Sequence, residues 1–201
     1  MTAHDLPKTP AITVRKAPKQ QRSRKLVEAI LEAAARILEQ ATDPFTTNHI
    51  AKLAGVSIGS LYQYFPSAEA IMAALIEQHV ADEQAAAAEI LATTAARKTD
   101  VMRDLLVAFV NAHADAPRLT ARLHALAPSF NLHEYMAAAR DEQALQIAQA
   151  LGLPAADIQM SVMAVEGVVL ATLASDPEKL KSSIFIDKLY AIALSPLGIH
   201  P

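Results

Sequence analysis

Between Thr46 and Phe65 the chain reads TTNHIAKLAGVSIGSLYQYF. Folded as two short helices, this stretch would expose Ile58, Gly59, Ser60, Tyr62, Gln63 and Tyr64 on the second. Those residue types suit contact with DNA. A glutamine amide can bond the N6 and N7 edge of adenine in two places, and an isoleucine can pack on a thymine methyl. The hydroxyls of Thr47, Ser60, Tyr62 and Tyr64 can bond phosphate oxygens. Gly59 has no side chain, so backbone and bases could come close there; inside a helix a glycine costs about 1 kcal/mol relative to alanine. The competing reading is an ordinary helical hairpin with surface tyrosines.

Other chemistries find little support. With no Cys in the 201 residues, disulfides, thiolate catalysis and Cys-ligated zinc are excluded. His133–Glu134 opens a zincin-like motif, but the position four after His133 is Ala137. His113, His124 and His133 offer no pair at a spacing of three or four, and His4, His49, His79 and His200 are scattered, so no metal site is expected. There is no phosphate-binding loop. No catalytic residue, cofactor or enzymatic activity is expected.

The elements that must position the short stretch are helical. Hydrophobic residues make up 52% and charged residues 19%, enough apolar surface for a packed core. No segment alternates with a strand's period, so the fold class is all-α, with about nine helices. A helix from about Lys19 to Gln40 carries Leu26, Val27, Ile30, Leu31, Ala34, Ile37 and Leu38 along one face. Thr46 or Thr47 caps the next, with Ile50, Leu53 and Ala54 facing inward. Gly55 supplies a left-handed turn, Ser57 caps the third helix, and Leu61 and Phe65 anchor it. Ser67 caps a long fourth helix from about Ala68 to Ala96. Further helices are predicted near Asp100–Ala114, Pro117–Leu126, His133–Leu151 and Pro154–Ala174. A last one is opened by Asp176–Pro177 and ends near Pro196. The domains expected are a flexible basic arm (1–18), a helix-turn-helix domain (19–66) and a ligand-binding and dimerisation domain (67–201).

Charge is unevenly spread. Residues 1–52 hold nine Lys/Arg against five Asp/Glu, whereas residues 53–201 hold nine against sixteen. Six basic residues and no acidic one lie in Arg15–Lys25. That is the footprint of a protein meeting nucleic acid at one end, although a solvated tail shows the same run. The N-terminus has no apolar signal-peptide core, and Ile158–Ala174 is expected to be too short and too polar to span a bilayer, so the expected location is cytoplasmic.

The ordered pattern Ile50–Ala51, Ala54–Gly55–Val56–Ser57, Gly59 and Leu61–Tyr62–Gln63–Tyr64–Phe65 resembles the N-terminal domain of the TetR/AcrR family of transcriptional repressors. The resemblance covers about a quarter of the chain. It implies an Ω-shaped all-α homodimer on a palindromic operator in double-stranded DNA, with a divergent C-terminal domain that binds small ligands. DNA contacts would fall on Thr47, Asn48, Ser57, Ile58, Gly59, Ser60, Tyr62, Gln63 and Tyr64. One departure stands out. Where the family carries a phosphate-touching Lys at the start of the fourth helix, this chain has Ala68, and Arg22 or Arg24 of the arm would have to supply the charge.

In the C-terminal part the resemblance extends only to helix count and order. By family analogy the last two long helices form the dimer interface. The apolar stripes there are Ile158, Val162, Val165, Val169 and Leu173, then Leu180, Ile184, Phe185, Leu189 and Ile192, with Gly167 and Ala171 as a close-approach pair. The alternative is that these stripes fill the chain's own core. Ligand-lining candidates are Leu106, Phe109, His113, Leu123, Leu126, Phe130, Tyr135, Met163 and Glu166, against plain core packing for each. The ligand expected is small and apolar or amphipathic. The functional expectation is a repressor released from its operator by that ligand; the alternative is a DNA-binding regulator without a ligand, controlled by a protein partner.

Overall fold

The structure, a computed structural model, describes residues 21–40, 44–93 and 97–199. The basic arm and the side chain of Arg22 lie outside the described residues. Nine α-helices and three short 3-10 helices are present among the described residues, with no strand. The all-α expectation is met.

The first four helices are α1 (Gln21–Gln40), α2 (Thr47–Leu53), α3 (Ile58–Tyr62) and α4 (Ala68–Ala92). Then come α5 (Lys98–Asp115), α6 (Pro117–Leu126), α7 (His133–Leu151), α8 (Ala155–Ser175) and α9 (Ser183–Leu194). The last segment is not one helix from Asp176 onward. Pro177–Lys181 makes a 3-10 turn, Ser182 is extended, and only then does α9 begin. Ser195–Leu197 is again 3-10.

Packing groups the described residues into two compact units: those up to His79 with Arg118–Met136, and Val80–Pro117 with those from Ala137 onward. The division falls inside α4.

In the first unit Ile30, Ala34 and Leu38 of α1 are fully buried, as the periodicity predicts. They share a core with Ile50, Leu61, Phe65, Ile71, Met72 and Ile76. Leu119 N–H at the start of α6 donates to Glu39 Oε2 on α1 at 2.6 Å, so a carboxylate from one helix satisfies an otherwise orphaned first-turn amide of another. Phe45 and Phe130 meet edge to face, 6.4 Å apart.

In the second unit α8 is held to the end of α9 by Ser161, whose hydroxyl donates to Ala193 O at 2.6 Å. Tyr190 OH donates to Thr99 O at 2.7 Å and ties α9 to the start of α5. The core here includes Val101, Leu106, Val110, Ile158, Val169, Leu173, Leu180 and Leu189. The expectation that this apolar stretch is too short and polar to span a bilayer does not hold for α8. It runs 21 residues, and an 18-residue window of it has a mean hydropathy of 1.6, long and apolar enough by length and composition alone. The reason is visible in the packing: α8 is apolar on two faces, one buried in its own unit and one bare.

Candidate functional site

The helix-turn-helix is built by two caps and a glycine. Thr46 is the α2 cap: its Oγ1 accepts from His49 N–H at 3.3 Å. Gly55 follows α2 with φ 67°, and the amides of Gly55 and Val56 donate back to Lys52 O and Ala51 O at 3.3 and 3.0 Å. This is a Schellman closure, which needs the left-handed residue that glycine supplies without steric cost. Ser57 then caps α3, accepting from Ser60 N–H at 3.0 Å. Leu61 and Phe65 are both completely buried, anchoring α3 on one side.

The opposite side of α3 is open. Ile58 is 38% and Tyr62 41% exposed, and Ser57, Gly59 and Gln63 are exposed as well. On α2, Asn48 is exposed and Thr47 half-buried, and Thr47 Oγ1 lies 3.1 Å from Tyr62 OH, joining the two helices across the same face. Ser60, half-buried, has its hydroxyl 2.8 Å from that of Ser57. A Cβ built on Gly59 would meet only Ser57 Oγ, at 3.9 Å. Nothing among the described residues therefore requires a glycine there.

Two residues depart from expectation. Tyr64 is only 8% exposed and packs in the core beside Phe65, because α3 ends at Tyr62 and the chain turns before Tyr64. Leu53 is 37% exposed rather than inward-facing, since it is the last residue of α2 and lies away from the Ile50–Ala51 face. Ala68 opens α4, and the candidate Arg24 is exposed on α1.

The nine ligand candidates are shared between the two units. Leu123, Leu126, Phe130 and Tyr135 belong to the first; Leu106, Phe109, His113, Met163 and Glu166 belong to the second. Met163 is 51% exposed, so it faces outward rather than lining an interior. In the second unit a polar cluster stands within apolar surroundings. His113 is fully buried, its Nδ1 2.9 Å from Phe109 O and 3.4 Å from Glu83 Oε1. The Phe109 ring lies against it, tilted by 43° with centroids 4.1 Å apart. Burial, reinforced by the negative charge of Glu166, pushes the Glu83 carboxyl up to about 8. Arg140 reaches both Glu166 (3.1 Å) and Asp141 (3.3 Å).

Glu83 and Arg140 escaped sequence reasoning. Glu83 precedes an Ala-rich run with no local sign of burial, and Arg140 sits beside Asp141 with nothing local to mark its partner Glu166.

Of the stripe residues, Ile158, Val165, Val169, Leu173, Leu180 and Leu189 are buried within the chain itself, and Val162 and Phe185 are half-buried. Only Ile184 of that set is largely exposed, at 67%. The bare face of α8 is a different one. Met160, Met163, Gly167, Ala171 and Ala174 are all exposed at spacings of three and four, and α9 adds Ile184 and Ile192.

A capped, Gly-turned helix pair whose second helix is anchored by two apolar residues and bare on its far side defines a helix-turn-helix protein of the all-α class. Comparison with known proteins narrows this. Residues 30–75 match the family described as bacterial regulatory proteins, tetR family. No curated protein sequence matches the chain. Among solved structures, a TetR-family regulator from Mesorhizobium loti superposes with TM-score 0.66 at 14% identity, covering 89% of this chain and 98% of that one. FadR of Thermus thermophilus, a transcriptional repressor solved with lauroyl-CoA, gives 0.63 at 19% identity, covering 87% and 96%. SmeT, repressor of the Stenotrophomonas maltophilia multidrug efflux pump SmeDEF, gives 0.62 at 20%, covering 84% and 88%. Residues 30–75 thus carry the N-terminal domain of the tetR family, and the fold as a whole is the one seen in solved TetR-family regulators.

Proposed function

We propose that the protein is a cytoplasmic, homodimeric repressor that binds a palindromic operator through α2 and α3 and leaves it when a small apolar or amphipathic ligand binds the C-terminal domain. One observation carries the DNA half: Gly59 stands in the exposed recognition helix with no neighbour among the described residues that demands it. A close external surface supplies the demand. Gln63 reads a base edge, Ile58 packs on a thymine methyl, and Thr47, Asn48, Ser57, Ser60 and Tyr62 hold phosphates. In the dimer two copies of α3 would enter successive major grooves about 34–36 Å apart. The bare face of α8 with Ile184 and Ile192 of α9 supports pairing of two copies.

For the ligand half, the support is the cluster of buried His113 with half-buried Glu83, Glu166 and Arg140 beside Phe109. A few polar groups among apolar ones is the make-up of small-molecule sites. The bound acyl-CoA of the FadR neighbour is of the same amphipathic class. Ligand binding would shift α4 and with it the spacing of the recognition helices, by as much as its affinity differs between the two states. Nothing in this reading calls for catalysis. A regulator controlled by a protein partner instead would leave that half-buried charge cluster without a role.

The test is a gel shift on a palindrome from the neighbouring DNA with wild type and Gln63→Ala. The variant should lose discrimination at particular bases by about 1–3 kcal/mol per contact. Unchanged affinity and base preference would remove Gln63 from the reading surface.

A further inference from the structure

We propose that His79 and His124 form a binding site for a divalent d-block cation of the zinc class, with imidazole ligands drawn from α4 and α6 inside the first unit. Their ligand nitrogens lie within 4.8 Å of each other. The rings meet edge to face with centroids 5.7 Å apart, so they converge without stacking. Two nitrogens bound tetrahedrally at about 2.0–2.1 Å from zinc stand about 3.4 Å apart, a gap that small rotations of the two rings can reach. Both side chains are half-buried, which limits competition from bulk water. Imidazole suits zinc, nickel and copper better than magnesium or calcium.

The expectation of no metal site rested on spacing within one helix. Here the ligands come from helices 45 residues apart in sequence, which spacing does not reveal. The two rings supply half of a tetrahedral shell, and water or further side chains complete it. A bound ion would cross-link α6 to α4 in the unit that carries the recognition helix.

The test uses the full-length, tag-free protein titrated with zinc chloride. Stoichiometry is read by calorimetry and melting temperature by fluorimetry. The expected result is saturable binding of one ion per chain, with a rise of about 5 °C at a free zinc concentration 100-fold above Kd. His79→Gln and His124→Gln should each weaken binding by at least about tenfold. Cobalt, substituted for zinc, should show visible d–d absorption in the wild type that both variants lack. If His124→Gln does not fold, His79→Gln carries the test alone. No saturable binding, or binding equally tight in His79→Gln, overturns the proposal.

Discussion

Replacing Glu83 by glutamine should change how stability depends on pH. The carboxyl has an ordinary value of 4.5 and is pushed up to about 8 in the folded protein by burial and by Glu166. Between those two values the folded chain holds a proton there that the unfolded chain has released. Stability contributed by this group is therefore fully present below pH 4.5 and is lost as pH rises toward 8. At 1.36 kcal/mol per pH unit, the loss at pH 7 is on the order of 3 kcal/mol, against about 1 kcal/mol at pH 5. A neutral glutamine of the same size has no such dependence. Its contact with His113 also changes, but that difference is the same at every pH where His113 keeps one charge state. The assay is urea unfolding followed by helical circular dichroism at pH 5, 6, 7 and 8, at fixed protein concentration. Glu83→Gln should gain about 2–3 kcal/mol on the wild type between pH 5 and pH 7. His124, pulled down to about 4, gives an opposite slope below pH 6.5, which is common to both proteins and cancels in the difference. A pH-independent difference would refute the account of Glu83 as a buried, protonated acid.

Three further outcomes follow from the geometry. Gly59→Ala should raise folding stability by up to about 1 kcal/mol, because its Cβ meets no close neighbour, while weakening operator binding in a mobility-shift assay. Loss of stability with DNA binding intact would mean the glycine serves the fold. Ser57→Ala removes the oxygen that accepts from Ser60 N–H and should cost about 1 kcal/mol in chemical denaturation; no change would mean that water replaces the cap. Met163→Glu together with Gly167→Arg should convert the proposed dimer to a folded monomer in sedimentation analysis, since both positions are exposed and a Cβ at Gly167 would meet no described neighbour within 4 Å. A dimer that persists would move the interface off α8.

Much of the fold was legible because local chemistry marks it. Pro117, His133 and Gly152 set the ends of α6 and α7 where the sequence placed them, and Gly55 and Ser57 took the turn and cap roles their types favour. Tyr64 was misjudged because extending α3 to Phe65 keeps a helical face going where the chain has already turned into the core. The α8 stripe shows a limit of periodicity. Ile158, Val165, Val169 and Leu173 do share a face, but Met160, Met163, Gly167 and Ala171 share another, and both are apolar. Pattern alone does not say which one meets the chain's own core. Glu83 and Arg140 were invisible for a related reason. Burial of a charged group is decided by partners brought from distant helices, and no local spacing encodes it.

The most direct test of the central claim is selection of duplexes from a random pool by the immobilised protein, followed by competition anisotropy with the enriched sequence. The account predicts a palindromic site, bound at least about a thousandfold more tightly than unrelated DNA, with the base preference altered by Gln63→Ala. Enrichment of no sequence, with unrelated duplex competing equally well, would contradict it.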